Sequence, residues 1–188
     1  MNRKKLNQSD YAIETSPDAR LLAAIGRGNI GDATRALIDG ANPNAISEGG
    51  ISALKEALGH WDIVKMLIGA GADVLTRNKE GEGILHWAAQ YNEPDVINKA
   101  ILEWGLDVNA RDTDGWTPLH HAASWDALEA VQELLENDAD PMIKSNPNAF
   151  VCPDMFPIDT IDYRHPSAFD VQWELENAME STEEEVAS

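Results

Sequence analysis

Apolar residues recur along the chain in short blocks with helical spacing: Ala33–Ile38, Ile63–Ile68, Val96–Leu102 and Val131–Leu135. Such blocks predict one-sided helices that bury against a neighbour. Each block closes on a small phrase: Gly40-Ala41-Asn42, Gly71-Ala72-Asp73, Gly105-Leu106-Asp107 and Asp138-Ala139-Asp140, in steps of 31, 34 and 33 residues. A glycine just past a helix fits the left-handed residue that ends it. A second phrase lies about twenty residues before each closure, and its fullest copy runs from Asp114 to Ala123. There Gly115 suits a tight turn, Thr117 is placed to N-cap a helix, and Pro118 falls at the first helical position. Ala122 and Ala123 lack bulk, so a second helix can approach closely.

The Thr117-Pro118-Leu119-His120-His121-Ala122 phrase, at a period near 33 residues, resembles the ankyrin repeat. The resemblance covers roughly Pro17 to Met179. It implies an all-α solenoid of stacked units, each a β-turn followed by two antiparallel helices, with a concave binding side. It also implies that His86 and His120 hydrogen-bond within their turns and between repeats.

The copies are uneven. Glu80–Ala89 keeps the turn glycine, the Leu-His pair and two alanines, but loses the Thr-Pro cap, and one extra residue is placed near Asn92–Pro94. Ser52–Ala57 is a weak helix start followed directly by Gly59-His60, so its helix is expected about two residues short. Leu21–Ala24 reads as an N-terminal cap. Met155–Asp159 reads as a degenerate repeat start after a lengthened loop holding Asn146–Cys152. The expected organisation is an extension over 1–15, a repeat domain over 16–180 and an acidic disordered tail over 181–188. Within the domain, repeats fall at about 17–46, 47–77, 78–111 and 112–145, with a cap at 153–180 whose helix runs Ala168–Met179.

Charge changes the picture by its position. The chain of 188 residues carries 33 Asp plus Glu against 14 Lys plus Arg, a net of −19. Residues 1–111 hold 15 acids and 12 bases, whereas 112–188 hold 18 acids and 2 bases. This composition argues against nucleic-acid binding through a basic groove and against an anionic membrane surface. It leaves a protein partner, and a basic one where charge matters. Cys152 stands alone, so neither an internal disulfide nor a thiolate zinc cluster can form. The N-terminal segment has no apolar run of a secretory signal, and a cytoplasmic monomer is expected.

The resemblance implies that partner contacts fall on the turn tips and on the exposed ends of the first helices. Mapped here, these are Glu48, Gly49 and Ile51; Lys79, Glu80 and Glu82; Thr113, Asp114 and Trp116; and the helix ends Gln90, Tyr91, Ser124 and Trp125. Trp and Tyr among them have the character of binding hot spots. Glu129, Glu133 and Glu136 are a candidate acidic surface. Trp87 reads as core, and Trp61, Trp104 and Trp173 as packing residues. His121 reads as a buried, hydrogen-bonded imidazole rather than a metal ligand, because no second ligand follows at helical spacing.

No phosphate loop, dinucleotide fingerprint, zinc-protease motif or calcium loop is present in the sequence. The chain is therefore read as non-enzymatic, with no cofactor and no metal. Its function is expected to be protein–protein interaction through the concave face. The alternatives are an acidic neutralising inhibitor, such as an immunity protein against a basic toxin, or an effector delivered into a host cell.

Overall fold

The computed structural model describes residues 16–149 and 153–187, with side chains as far as Thr182. The 1–15 extension and Cys152 lie outside the described residues. The chain divides into two compact units, Met1–Asp73 and Val74–Ser188. The first holds α1 (Pro17–Ile25), α2 (Ile30–Ile38), α3 (Ala53–Glu56) and α4 (Trp61–Gly69). The second holds α5 (Ile84–Gln90), α6 (Pro94–Leu102), α7 (Pro118–Ser124), α8 (Leu128–Glu136), a 3₁₀ turn (Pro157–Thr160) and α9 (Ala168–Ala187).

One backbone rule generates this order. Every left-handed residue among the described ones falls at one of three places in the repeat. Gly50, Gly81, Gly115 and Asp154 lie three residues before a first helix or its 3₁₀ counterpart. Gly28, Gly59, Asn92 and Asp126 lie two residues before a second helix. Gly40, Gly71, Gly105 and Asp138 lie just past a second helix. Where glycine is missing, Asn or Asp takes its place, the side chains that best tolerate this region.

In the first unit, the Ser16 hydroxyl caps α1 by accepting from the Ala19 amide at 3.1 Å. The turn before α3 is pinned by an antiparallel bridge between Ile46 and Ser52. The α3 helix has only four residues, which matches the shortened start in the sequence. Leu21, Ile25, Leu54, Ile63 and Leu67 fill this core. In the second unit, Ile84, Leu85, Ile97, Leu119, Leu134 and Leu175 do the same work, and each is essentially inaccessible to water.

Three sequence expectations need correction, and one on Thr117 holds. The extra residue of the 78–111 repeat is not near Asn92–Pro94. The helices α5 and α6 sit 34 residues before α7 and α8 without a break, and the surplus falls after α6, at Glu103-Trp104-Gly105. Thr117 stands at the N-cap position as expected, with His120 Nδ1 2.9 Å from its hydroxyl and accepting from its amide at 3.1 Å. Trp173 is 62% exposed, because α9 buries Ala168, Val171 and Leu175 on the opposite stripe. That helix also continues to Ala187, past the Met179 end and through 181–187, where a disordered tail was expected.

Candidate functional site

The turn tips of the second unit form a ladder. The backbone amide and the hydroxyl of Thr113 both donate to the Glu80 carbonyl at 2.9 Å. The Asn146 amide donates to the Asp114 carbonyl at 2.8 Å, and the Asn146 side chain donates to the Thr113 carbonyl at 3.1 Å. Two arginines at equivalent positions fasten successive tips. Arg77 donates to the Arg111 carbonyl at 3.3 Å, and Arg111 donates to the Lys144 carbonyl at 2.8 Å. Lys79, Glu80 and Thr113 are exposed, while Asp114 and Glu82 are half-buried. Glu48 and Ile51 are exposed at the tip in the first unit.

Beneath the tips lies a group of imidazoles and carboxylates. His86 Nδ1 accepts from the Gly83 amide at 3.2 Å and its Nε2 donates to the Ala110 carbonyl at 3.1 Å. His120 repeats the pattern, with the Thr117 amide at 3.1 Å and the Met155 carbonyl at 3.0 Å. Each imidazole is thus held as the neutral tautomer that bridges its own turn to the next. Burial drives both pKa values down to about 4, and the neighbouring His121 adds to the depression.

His121 is buried, with Nε2 3.0 Å from Asp112 Oδ2. The other Asp112 oxygen accepts from the Asp114 and Trp116 amides, each at 2.9 Å. Burial works to raise the Asp112 pKa, but hydrogen bonds from His121 and the Trp116 amide outweigh it and hold the carboxyl below its ordinary value. Glu82 Oε2 accepts from the Trp87 indole at 2.9 Å and from Asn78 Nδ2 at 2.8 Å. Glu82, Asp112 and His121 each bring one ligand-type atom within 4.8 Å of the others. This juxtaposition is invisible to helical spacing, since two of its members come from turns.

The aromatic candidates separate. Trp116 is half-buried, its ring 5.8 Å from His120 and 5.3 Å from His121, and its buried Nε1 has no hydrogen-bond acceptor. Trp87 is 1% exposed and belongs to the core. Tyr91 and Trp125 are 53% and 57% exposed, and they cap the C-termini of α5 and α7 at equivalent places. Gln90 and Ser124, just before them, are half-buried. Of the acidic candidates, Glu129 accepts from Asn92 Nδ2, and Glu133 accepts from Asn98 at 2.7 Å and Asn137 at 2.9 Å. Glu136 is exposed.

A family model described as ankyrin repeats, in three copies, matches residues 56–145. Residues 56–145 are ankyrin repeats. Protein phosphatase 1 regulatory subunit 12A of mouse is 45% identical over 62 residues, which is 33% of this chain and 6% of that protein. The Notch protein of Drosophila melanogaster is 40% identical over 78 residues, 41% of this chain and 3% of that one. Human ankyrin repeat domain-containing protein 49 is 40% identical over 62 residues, 33% of this chain and 26% of that one. This chain therefore spans a minor part of each of these relatives. Ankyrin repeats are protein–protein interaction modules, and the all-α repeat fold agrees with the sequence expectation. Among the described residues, no helix is long and apolar enough to cross a membrane.

Proposed function

We propose that this protein acts by binding a partner protein, without enzymatic activity, along the turn tips and first-helix ends of the Val74–Ser188 unit. The observation that carries this reading is the exposed pair Tyr91 and Trp125. They sit at matching positions on α5 and α7, helices that pack side by side. Two large aromatic rings kept in water by a repeating frame are the kind of anchor that dominates interface energetics. Gln90, Ser124, Lys79, Glu80, Glu82, Thr113, Asp114 and Trp116 extend the surface around them, and Glu48 with Ile51 offers the equivalent tip in the first unit. The partner is expected to meet a cytoplasmic monomer. Replacing both aromatics by alanine should weaken binding of a partner captured from the native host by about 2 kcal/mol or more, read by calorimetry on the purified pair. An affinity equal to wild type would overturn the reading.

A second reading is favoured by the 18 acids against 2 bases after residue 111. In it the protein neutralises a basic toxin or enzyme through the Glu129, Glu133 and Glu136 surface. Glu129 and Glu133 already serve intramolecular hydrogen bonds, so this reading leans on Glu136 and the acids of α9. It requires an association rate that falls steeply with ionic strength. A flat salt profile excludes it and leaves the aromatic surface.

A further inference from the structure

We propose that Glu82, Asp112 and His121 form a binding site for one first-row divalent cation of the zinc class. An imidazole with two carboxylates is a donor set suited to such an ion. The three ligand-type atoms lie within 4.8 Å of one another. Around a tetrahedral ion with bonds near 2.0–2.1 Å, neighbouring ligands stand about 3.3 Å apart. His121 Nε2 and Asp112 Oδ2, at 3.0 Å, are already close to that edge. The ion would take the place of the proton these two atoms now share.

The surroundings are those of a supported site. One oxygen of each carboxylate is held from behind. The Trp87 indole and Asn78 fix Glu82, and the Asp114 and Trp116 amides fix Asp112. Such outer contacts orient ligands and tune their basicity. His86, whose ring meets His121 edge-on at 5.4 Å, spends both nitrogens on Gly83 and Ala110 and is excluded as a fourth ligand. Water fills the remaining coordination. The Trp116 ring meets His121 edge-on at 5.3 Å and packs against one side of the imidazole. Two carboxylates around one imidazole also concentrate negative charge, which a divalent ion cancels. Because Glu82 belongs to one repeat and Asp112 and His121 to the next, the ion would cross-link the two tips.

The test uses the full chain stripped with EDTA and titrated with Zn²⁺ by calorimetry and with Co²⁺ by visible absorption. The expected result is one saturable ion per chain and a cobalt ligand-field band. Glu82→Gln keeps an acceptor for Trp87, and His121→Gln keeps a donor for Asp112. Each should lower affinity by about tenfold or more while circular dichroism shows the fold intact. Absence of stoichiometric binding overturns the proposal. So does equal affinity in both variants, which would place the ion on the acidic α9 surface. Should either variant fail to fold, paramagnetic broadening by Co²⁺ in the wild-type protein decides instead: selective loss of the His121 and Trp116 ring signals supports the site, and loss elsewhere overturns it.

Discussion

The tips and first helices at 78–90 and 112–124 share one frame and carry different chemistry. Asn78 and Asp112 each accept from two amides of their turn, Gly81 and Gly115 each turn left-handed, and His86 and His120 each bridge to the next tip. At the two variable places the pairs differ. Glu82 holds the Trp87 indole, whereas Trp116 meets the His121 ring edge-on at 5.3 Å. The difference teaches that the repeat specifies its backbone with a few residues and leaves pocket chemistry to the others. Adjacent repeats with different pairs bring together groups that neither could assemble alone.

The largest expected effects test the shared frame. Leu85→Ala and Leu119→Ala should each cost about 2–5 kcal/mol in chemical denaturation, because both side chains are fully packed. A loss well below 1 kcal/mol at Leu119 alone would mean that the two segments are not equivalent. Next comes the pair of neutral imidazoles. Their folded pKa values near 4 lie below the ordinary 6.5, so the unfolded chain binds more protons between those values. Their contribution is complete above about pH 6.5 and is lost as the pH falls toward 4, by at most about 3 kcal/mol per imidazole. Stability against pH, measured in EDTA, should flatten over that window in His86→Gln and in His120→Gln by similar amounts.

Gly115→Ala is expected to destabilise by about 1–3 kcal/mol, since φ is +79° and a Cβ would meet Arg111 and Asn146 at 2.5 Å. Gly81→Ala meets the Thr113 amide nitrogen at 3.0 Å and should cost a comparable amount, read from thermal melts. The smallest effect tests the variable pair. Trp116→Phe removes a buried N–H that has no acceptor, so stability should change by less than about 1 kcal/mol. A loss beyond 2 kcal/mol would show that the indole nitrogen has a partner.

Much of the frame was legible in the sequence. The glycines at the helix exits and the Leu-His-Ala phrase mark the repeat because backbone sterics restrict what can stand there. The displaced extra residue was less legible, since Glu103 and Trp104 carry no turn signal and the apolar pattern of α6 simply runs into them. Trp173 was misread because an aromatic on a terminal helix looks like core until the buried stripe of Ala168, Val171 and Leu175 is seen. The stretch after Met179 contains no Gly or Pro to break a helix, and the run of glutamates alone did not end it. The cluster of Glu82, Asp112 and His121 was not legible, because its members are brought together by stacking rather than by spacing within one helix.

The ladder across the tips has a consequence for deuterium exchange. Thr113 is exposed in a loop, where amides normally exchange at once. Its N–H, like that of Asn146, is bonded to a carbonyl of the preceding tip rather than to its own turn. These two protons can leave only when neighbouring repeats part. They are native reporters of repeat separation, and an isotope uptake curve at Thr113 and Asn146 would time the opening of the stack from its surface.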